Sequence, residues 1–480
     1  MMLTLKTEPV FKHVLCVYPY RRVQRGVGFV PPLGLEYIAA VVAPFAGSLD
    51  LVDLRKEARR TRDFLRPETE LVCFSVNWDC DAAFMRDEIC SVPPRILTVL
   101  GGRHASEDPE RWLTLCPNAA VVVRGDGEEI VEELCRGVPL ESIAGISFRK
   151  DGRIVHNAAR KLGPIRDDIM PLRRLRRQPY PVLLGGLNFG IEVELVSGSR
   201  GCPFNCTFCS FSRNPWGDKR PWSGRSPESV VEELASISAP LVIFVDDLFT
   251  CDMDRVERIC DLILQRGIRR KYVVNARLEI ARRPDVLRKM ERAGFVGLLV
   301  GIESAQDKTL RSMRKGFDTA GIREYCAVLR DYRISLLGYF ILGNIGETKE
   351  QMLQIAPFAH ELGLDAVIFS ILQVRPYSGL DELVAANPAY HVAEDGKVFS
   401  DELSIKELRQ LRGRINREFY TAGQVLQILG KGARQGGLAF LPGLLPRLPR
   451  LLLQLAMRPR RRARRHEPGD SIQPESSRRA

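Results

Sequence analysis

Residues 192–209 read Glu-Val-Glu-Leu-Val-Ser-Gly-Ser-Arg-Gly-Cys-Pro-Phe-Asn-Cys-Thr-Phe-Cys. The short apolar alternation predicts a strand over Glu192–Ser197, followed by a loop that carries Cys202, Cys206 and Cys209. Thiolates are soft ligands suited to zinc or to iron–sulfur. A closed structural zinc site needs four ligands, usually in two separated pairs. No fourth Cys or His stands close in sequence here. Three thiolates at C-x3-C-x2-C spacing instead leave one iron of a [4Fe–4S] cluster open to a small molecule.

The pattern around that loop gives its setting. From Gly190 to about Leu383 strands and helices alternate, with strands predicted to end near Val196, Val245, Val274, Val300, Ile341 and Phe369. Helices are predicted over Pro227–Ile237, Met253–Gln265, Pro284–Ala293, Thr319–Tyr332 and Lys349–Leu362. Six βα units in series predict a partial or complete α/β barrel, with its chemistry on loops at the carboxyl ends of the strands. The Cys loop follows the first of them.

Upstream, short apolar runs again alternate with helical patterns. Strands are predicted at His13–Tyr18, Leu49–Asp53, Leu71–Val76, Ile96–Leu100 and Ala120–Val123, and helices at Leu33–Val42 and Glu128–Leu134. This is a doubly wound α/β sheet, whose ligand normally lies beyond the carboxyl ends of its strands. Those ends carry small or polar residues: Ser75, Asn77 and Trp78, then Gly101, Gly102, Arg103 and His104, then Arg124-Gly125-Asp126-Gly127-Glu128. Glycines at such turns let backbone approach a ligand closely. The division read from the chain is 1–155 for this domain, 156–189 for a Pro- and Arg-rich linker, 190–385 for the barrel and 386–480 for a helical region with a basic tail.

Bulk properties restrict the partners. Of 480 residues 45% are hydrophobic and 27% charged, as in a folded globular protein. The net charge is +12, but ten arginines face three acids between Arg447 and Ala480, so seven of those charges belong to the tail and nucleic acid binding is not demanded. No apolar run reaches the ~20 residues that span a bilayer, and the start lacks a secretory pattern, so a cytoplasmic protein with reduced thiols is expected. In the tail Leu444, Leu448, Leu451, Leu452 and Leu455 form one helical stripe ahead of Arg460-Arg-Arg-Ala-Arg-Arg465. That combination suits peripheral contact with an anionic inner membrane surface, or a helix packed on the barrel with a solvated basic end.

With these motifs in order, the chain resembles the radical S-adenosylmethionine (SAM) superfamily. The resemblance implies that Cys202, Cys206 and Cys209 hold the cluster, with Phe208 beside them, and that SAM chelates the open iron. It further implies SAM contacts from Asp246 and Asp247 after the second barrel strand, Asn275 and Arg277 on the third, Glu303 and Ser304 in Gly301-Ile-Glu-Ser304, and Gly343 in Gly-Asn-Ile-Gly-Glu-Thr348. The last departs from the family's G-x-P-G-E-T by Ile345, and Pro376-Tyr-Ser-Gly379 lacks the second Pro of P-Y-P-G. Read singly, Asp246 and Asp247 could cap the next helix, and Glu303 could pair with Arg277.

The domain ahead of the barrel resembles that of the cobalamin-dependent class, with a Rossmann-like cobalamin-binding domain before a TIM-like partial barrel. Ser75, Asn77, Trp78, Gly101, Gly102, His104 and Gly125 are then implied as cobalamin contacts, with Asn77 or Trp78 nearest the lower face of the corrin. Asp53 is followed by Leu-Arg-Lys, so the D-x-H-x-x-G signature is missing. His104 is expected to hydrogen-bond to the cofactor periphery or to backbone.

The implied activity is C-methyl transfer to an unactivated carbon of a lipid, isoprenoid-like or other secondary-metabolic substrate, through a 5′-deoxyadenosyl radical, with flavodoxin or ferredoxin as one-electron donor. Hopanoid C-methylases are the most similar in motif, and the anaerobic magnesium-protoporphyrin ester cyclase is the alternative. A metal-binding module without catalysis is the other class left open.

Overall fold

The computed structural model describes residues 9–21, 30–78, 80–184, 187–210, 213–214 and 216–437. The leucine stripe and the arginine run of the tail lie outside them.

The first sheet holds β1 (Phe11–Tyr18), β2 (Ala46–Asp53), β3 (Thr69–Ser75), β4 (Leu97–Gly101) and β5 (Val121–Val123), extended by β6 (Ile146–Lys150) and β7 (Arg153–His156). Its order is β2-β1-β3-β4-β5-β6-β7. The first five strands are parallel and the last two form an antiparallel hairpin at the edge. Parallel strands are covered on both faces, so they read as unbroken apolar runs; Val14, Leu15, Cys16 and Val17 are all fully buried. The chain crosses from one side of β1 to the other, which opens a crevice at the carboxyl ends of β1 and β3. The hairpin was not anticipated. Its turn is Asp151-Gly152, both at positive φ (49° and 76°), which a two-residue hairpin loop requires.

The second sheet begins with β8 (Pro181–Leu184), antiparallel to β9 (Leu187–Val196). Two short strands, β10 (Ser199–Arg200) and β11 (Ser223–Gly224), pair antiparallel and pinch the base of the Cys loop. Then come β12 (Leu241–Phe244), β13 (Lys271–Ala276), β14 (Phe295–Glu303), β15 (Ser335–Leu342) and β16 (Ala366–Ile371), all parallel with β9. The order β16-β15-β14-β13-β12-β9-β8 never closes on itself, so the barrel is partial. Helices Met253–Gln265 and Pro284–Ala293 begin and end where the sequence predicts. The second has Pro at its start, and Gly294 (φ 103°) at its end packs so tightly that a Cβ would meet Arg270 O at 2.3 Å. The expected helix Lys349–Leu362 is two, Lys349–Leu353 and Ile355–Glu361.

Beyond the barrel, the region expected to be helical starts instead with a hairpin of β17 (Tyr390–Val392) and β18 (Val398–Ser400). Helices Ile405–Phe419 and Ala422–Arg434 follow.

Residues 156–184 run along the seam between the two sheets. Arg176 reaches Glu36 of helix Leu33–Val42 (2.6 Å) and Glu194 of β9 (2.8 Å) with the same nitrogen. Arg173 pairs with Glu233 and donates to Leu195 O at 2.7 Å, and the fully buried Arg225 also pairs with Glu233. Glu36 and Glu233 are fully buried, so each carboxylate depends on its arginines for compensation. Leu195 of β9 joins the hydrophobic core of the first sheet. The two sheets are therefore fixed to one another by apolar packing and by buried ion pairs.

Candidate functional site

The Cys loop is held at its base by backbone. Gly198 N–H donates to Asp246 Oδ1 (2.7 Å), the Ser199 hydroxyl to Asp246 Oδ2 (2.6 Å), and Gly201 N–H to Asp247 Oδ2 (2.8 Å). Arg255 Nη2 donates to Gly198 O (2.6 Å). Gly201 (φ 85°) has no room for a Cβ, which would lie 2.4 Å from Pro221 O. Further along, Thr207 N–H donates to Met313 O (3.2 Å) and the Lys219 ammonium to Phe204 O.

Cys202, Cys206 and Cys209 are each half-buried, and all three act electrostatically on Lys219. Burial lowers the Lys219 pKa, and the thiols pull it up. Among the described residues no three His, Cys, Asp or Glu side chains close around one ion. A donor set of three soft sulfurs, accessible and without carboxylates among them, fits a sulfide-bridged cluster better than a single hard cation.

The barrel residues named from sequence divide into two groups. Asp246 was expected to meet a ligand but is fully buried, with both oxygens taken by Gly198 and Ser199. Burial raises its pKa to about 6. Its geometry is that of a brace for the Cys loop, and Asn275 supports it by donating Nδ2 to Asp246 O (2.9 Å). Asp247 is exposed at the carboxyl end of β12. The Arg277 guanidinium lies 3.7 Å from the Phe204 ring centroid and donates to Lys315 O (2.6 Å) and to Glu279 (2.8 Å). Glu303 therefore pairs not with Arg277 but with Lys315 (3.1 Å), from a backbone at φ 73°. Ser304, fully buried, donates to Glu347 Oε1 (2.6 Å), while Asn344 donates to Glu347 Oε2 (2.8 Å). With only neutral partners, Glu347 is pushed by burial to about 7. Gly343 (φ 81°) packs on Leu408, and Phe208 packs against a small cluster with Met313, Ile341 and Leu372.

On the first sheet, the loop after β3 is suspended from Tyr20, whose hydroxyl accepts N–H groups of Asn77 (2.6 Å) and Trp78 (2.9 Å). Asn77 is spent on structure: Nδ2 donates to Ser75 Oγ (2.9 Å) and Oδ1 accepts Arg103 N–H (3.1 Å). Trp78 remains 48% exposed, tethered by Nε1 to Tyr18 OH (3.3 Å). Gly102 (φ 97°) would bring a Cβ to 2.6 Å from Asn77 Oδ1, whereas Gly101 has ordinary space. His104 Nδ1 accepts the Trp112 indole N–H (3.0 Å). Gly125 (φ 96°) donates its N–H to Ser106 Oγ (3.2 Å). Small residues at the ends of β4 and β5 and a projecting indole beside the switch point make an open cradle that fits a large planar ligand such as a corrin.

Three contacts that sequence reasoning did not find bring the two sets of carboxyl ends together. Arg103 Nη2 donates to Ser210 Oγ (2.5 Å), next to Cys209. Arg220 grips Asp126 (3.0 and 2.5 Å), and Arg200 grips Glu128 (3.2 Å). The pairs flank the Cys loop on both sides. The turn Arg124–Glu128, read from sequence as a ligand loop, is in the structure an inter-domain clamp. Partners so far apart in the chain carry no periodic signal that would have revealed them.

Two family models match the chain: the Radical SAM superfamily over residues 196–359 and the B12 binding domain over residues 23–135. An uncharacterised methyltransferase of Pyrococcus horikoshii is 29% identical over 76% of this chain and 81% of its own length. The anaerobic magnesium-protoporphyrin IX monomethyl ester cyclase of Cereibacter sphaeroides is 28% identical over 60% of this chain and 48% of its own. The hopanoid C-3 methylase of Methylococcus capsulatus is 27% identical over 63% and 59%. The chain thus spans only about half the length of the latter two. Among solved structures, the radical SAM methyltransferase TsrM of Kitasatospora setae, with cobalamin and a [4Fe–4S] cluster bound, superposes with a TM-score of 0.65 at 17% identity, covering 81% of this chain and 78% of that one. At that identity the likeness concerns the fold. The two family matches, falling on the two halves whose loops meet at the Cys triad, make this chain a radical SAM enzyme with an N-terminal B12-binding domain, whose cofactors are a [4Fe–4S] cluster, SAM and cobalamin.

Proposed function

We infer that the protein is a cobalamin-dependent C-methyltransferase acting on an unactivated carbon of a small lipid-like or secondary-metabolic substrate. The observation that carries this reading is the Arg103–Ser210 contact, because it joins the loop beyond β4 to the Cys loop. A ligand in the crevice by Trp78 and a ligand on the thiols would then share one chamber. When bound, the cluster and SAM supply hydrogen abstraction from carbon, and cobalamin supplies the methyl group. The names of the relatives from Pyrococcus and Methylococcus support methyl transfer over cyclisation.

The chain's own residues supply position. Cys202, Cys206 and Cys209 would hold the cluster, and Asp246 with Ser199 and Arg255 fixes the take-off of their loop. Asp247, exposed at the mouth with one oxygen bound to Gly201 N–H, offers its other oxygen to an ammonium such as that of SAM. Arg277, stacked on Phe204 between Cys202 and Cys206 in sequence, stiffens the Cys loop. On the first sheet Trp78, not the fully engaged Asn77, is the residue free to lie against the corrin. Burial of such a reaction between two sheets excludes water that would quench it. A one-electron donor of the flavodoxin or ferredoxin type would reduce the cluster.

The test is anaerobic reconstitution followed by iron and cobalt analysis and incubation with methyl-labelled SAM and dithionite. Four irons and one cobalt per chain are expected, with both 5′-deoxyadenosine and S-adenosylhomocysteine formed. Iron without cobalt, or 5′-deoxyadenosine without S-adenosylhomocysteine, would remove methyl transfer.

A further inference from the structure

Helix Ala422–Arg434 is mounted inside out. The side chains it turns toward the protein are polar. Gln424, the helix's one fully buried residue, donates Nε2 to Leu364 O (2.8 Å), and Lys431 pairs with Asp365 (2.7 Å). One residue past its end, Gln435 donates Nε2 to Arg333 O (2.9 Å) and to Ser335 Oγ (3.0 Å). Gln424, Ile428, Lys431 and Gln435 fall on one helical stripe, and within it only Ile428 is apolar. Leu426 and Leu429 stand on the far side and Val425 on its flank, 69%, 64% and 41% exposed. A helix serving only to cover its own barrel turns its apolar stripe inward. Three large apolar side chains held outward by a row of hydrogen bonds mark a face meant for another phase or partner.

The chain that follows indicates which. Residues 444–455 hold seven leucines and two arginines, and Arg458 to Arg465 add six arginines with no acid. Within the helix itself Lys431 and Arg434 are basic and there is no acidic residue. Apolar surface running into dense positive charge is the chemistry of binding to an anionic bilayer, where hydrocarbon burial and headgroup attraction act together. A protein partner of the same shape would need a matching acidic rim, and a second copy of this chain brings the same positive charge.

We propose that the outer face of helix Ala422–Arg434, with the Leu- and Arg-rich chain behind it, docks the protein on an anionic membrane surface. The geometry fixes what faces away. Leu364, Asp365, Arg333 and Ser335 lie at the amino ends of β15 and β16, and Gly436 packs by Lys271 at the start of β13. The helix therefore covers the amino-terminal end of the barrel, while the Cys loop opens from the carboxyl-terminal end. Docked in this way, the site points toward the aqueous side, so the membrane tethers the protein without feeding it. A substrate would have to leave the bilayer, or be water-borne, to reach the thiols.

The experiment uses the full chain and is independent of catalysis: co-sedimentation with vesicles of phosphatidylcholine alone and of phosphatidylcholine with phosphatidylglycerol. Binding is expected only to the anionic vesicles. The double variant Leu426→Glu/Leu429→Glu should lower partitioning by more than about tenfold, with an unchanged circular dichroism spectrum because both side chains are already exposed. Replacing the arginines between 460 and 465 by glutamine should weaken binding and reduce its salt dependence. Equal binding to both vesicle types, or full binding by the double variant, would overturn the proposal. So would a wild-type dimer, seen by light scattering, that the double variant converts to monomer, since the face would then bind a second copy.

Discussion

The seam and the Cys loop lie between the same two sheets and are built in opposite ways. In the seam, side chain answers side chain. Arg173, Arg176 and Arg225 compensate Glu36, Glu194 and Glu233 in a place nearly closed to water. In the Cys loop, backbone groups are tied down at the base by Asp246 and Asp247, and the thiols further out are left half-exposed around Lys219. The difference separates two tasks. The seam sets the spacing of the two sheets without any ligand, and the loop is finished by what it binds.

The largest effect expected from breaking this contrast is chemical and leaves stability nearly untouched. Cys206→Ala should abolish iron incorporation and SAM cleavage, read by iron analysis and product formation, while the urea midpoint moves little because a half-buried thiol carries little packing. Arg176→Ala should do the reverse. It strands Glu36 as a buried charge, leaves Glu194 with Arg173 alone, and should cost about 3–5 kcal/mol in urea denaturation, with cluster assembly retained at low temperature.

A smaller effect is expected at Glu347, which lies beyond the end of β15 against Ser304 and Asn344. Its folded pKa of about 7 stands above that of an unfolded glutamate, so the folded state favours the protonated form. The resulting stability is complete below about pH 4.5 and fades as pH rises through 7. Asp246, at about 6, slopes the same way. Glu347→Gln should flatten that decline and leave the protein more stable than wild type at pH 8, on the order of 2 kcal/mol. A variant with an unchanged slope would show that Glu347 is ionised in the fold. The smallest effect is expected at the mouth. Asp247→Asn should weaken SAM binding about tenfold, or roughly 1.4 kcal/mol, without shifting the urea midpoint.

Much of the fold was legible because its elements are locally consistent. Met253–Gln265 and Pro284–Ala293 carry their own start signals in Asp252 and Pro284. The β6–β7 hairpin was missed although Asp151-Gly152 signals a two-residue turn, because its flanking strands are short and polar. The site was legible in its thiols, whose spacing is chemical. Which of two adjacent aspartates is buried and which exposed was not legible, since side chains alternate along a strand end and one residue of register decides it. Nor could sequence pair Arg176 with Glu36, 140 residues away. The arginines of 156–189 read as the charge of a linker, yet Arg173 and Arg176 join the two sheets.

One consequence follows from the clamps on either side of the Cys loop. Arg200 and Arg220 both reach the turn that ends β5, and Arg103 ties the turn after β4 to Ser210. A ligand that orders those turns lowers the entropy lost when the loop is ordered, and the reverse holds by the same amount. Loading of the thiols and filling of the crevice by Trp78 are therefore thermodynamically reciprocal: each must tighten the other by one common factor. Where that factor is large, half-loaded states are disfavoured relative to the empty and the fully loaded protein.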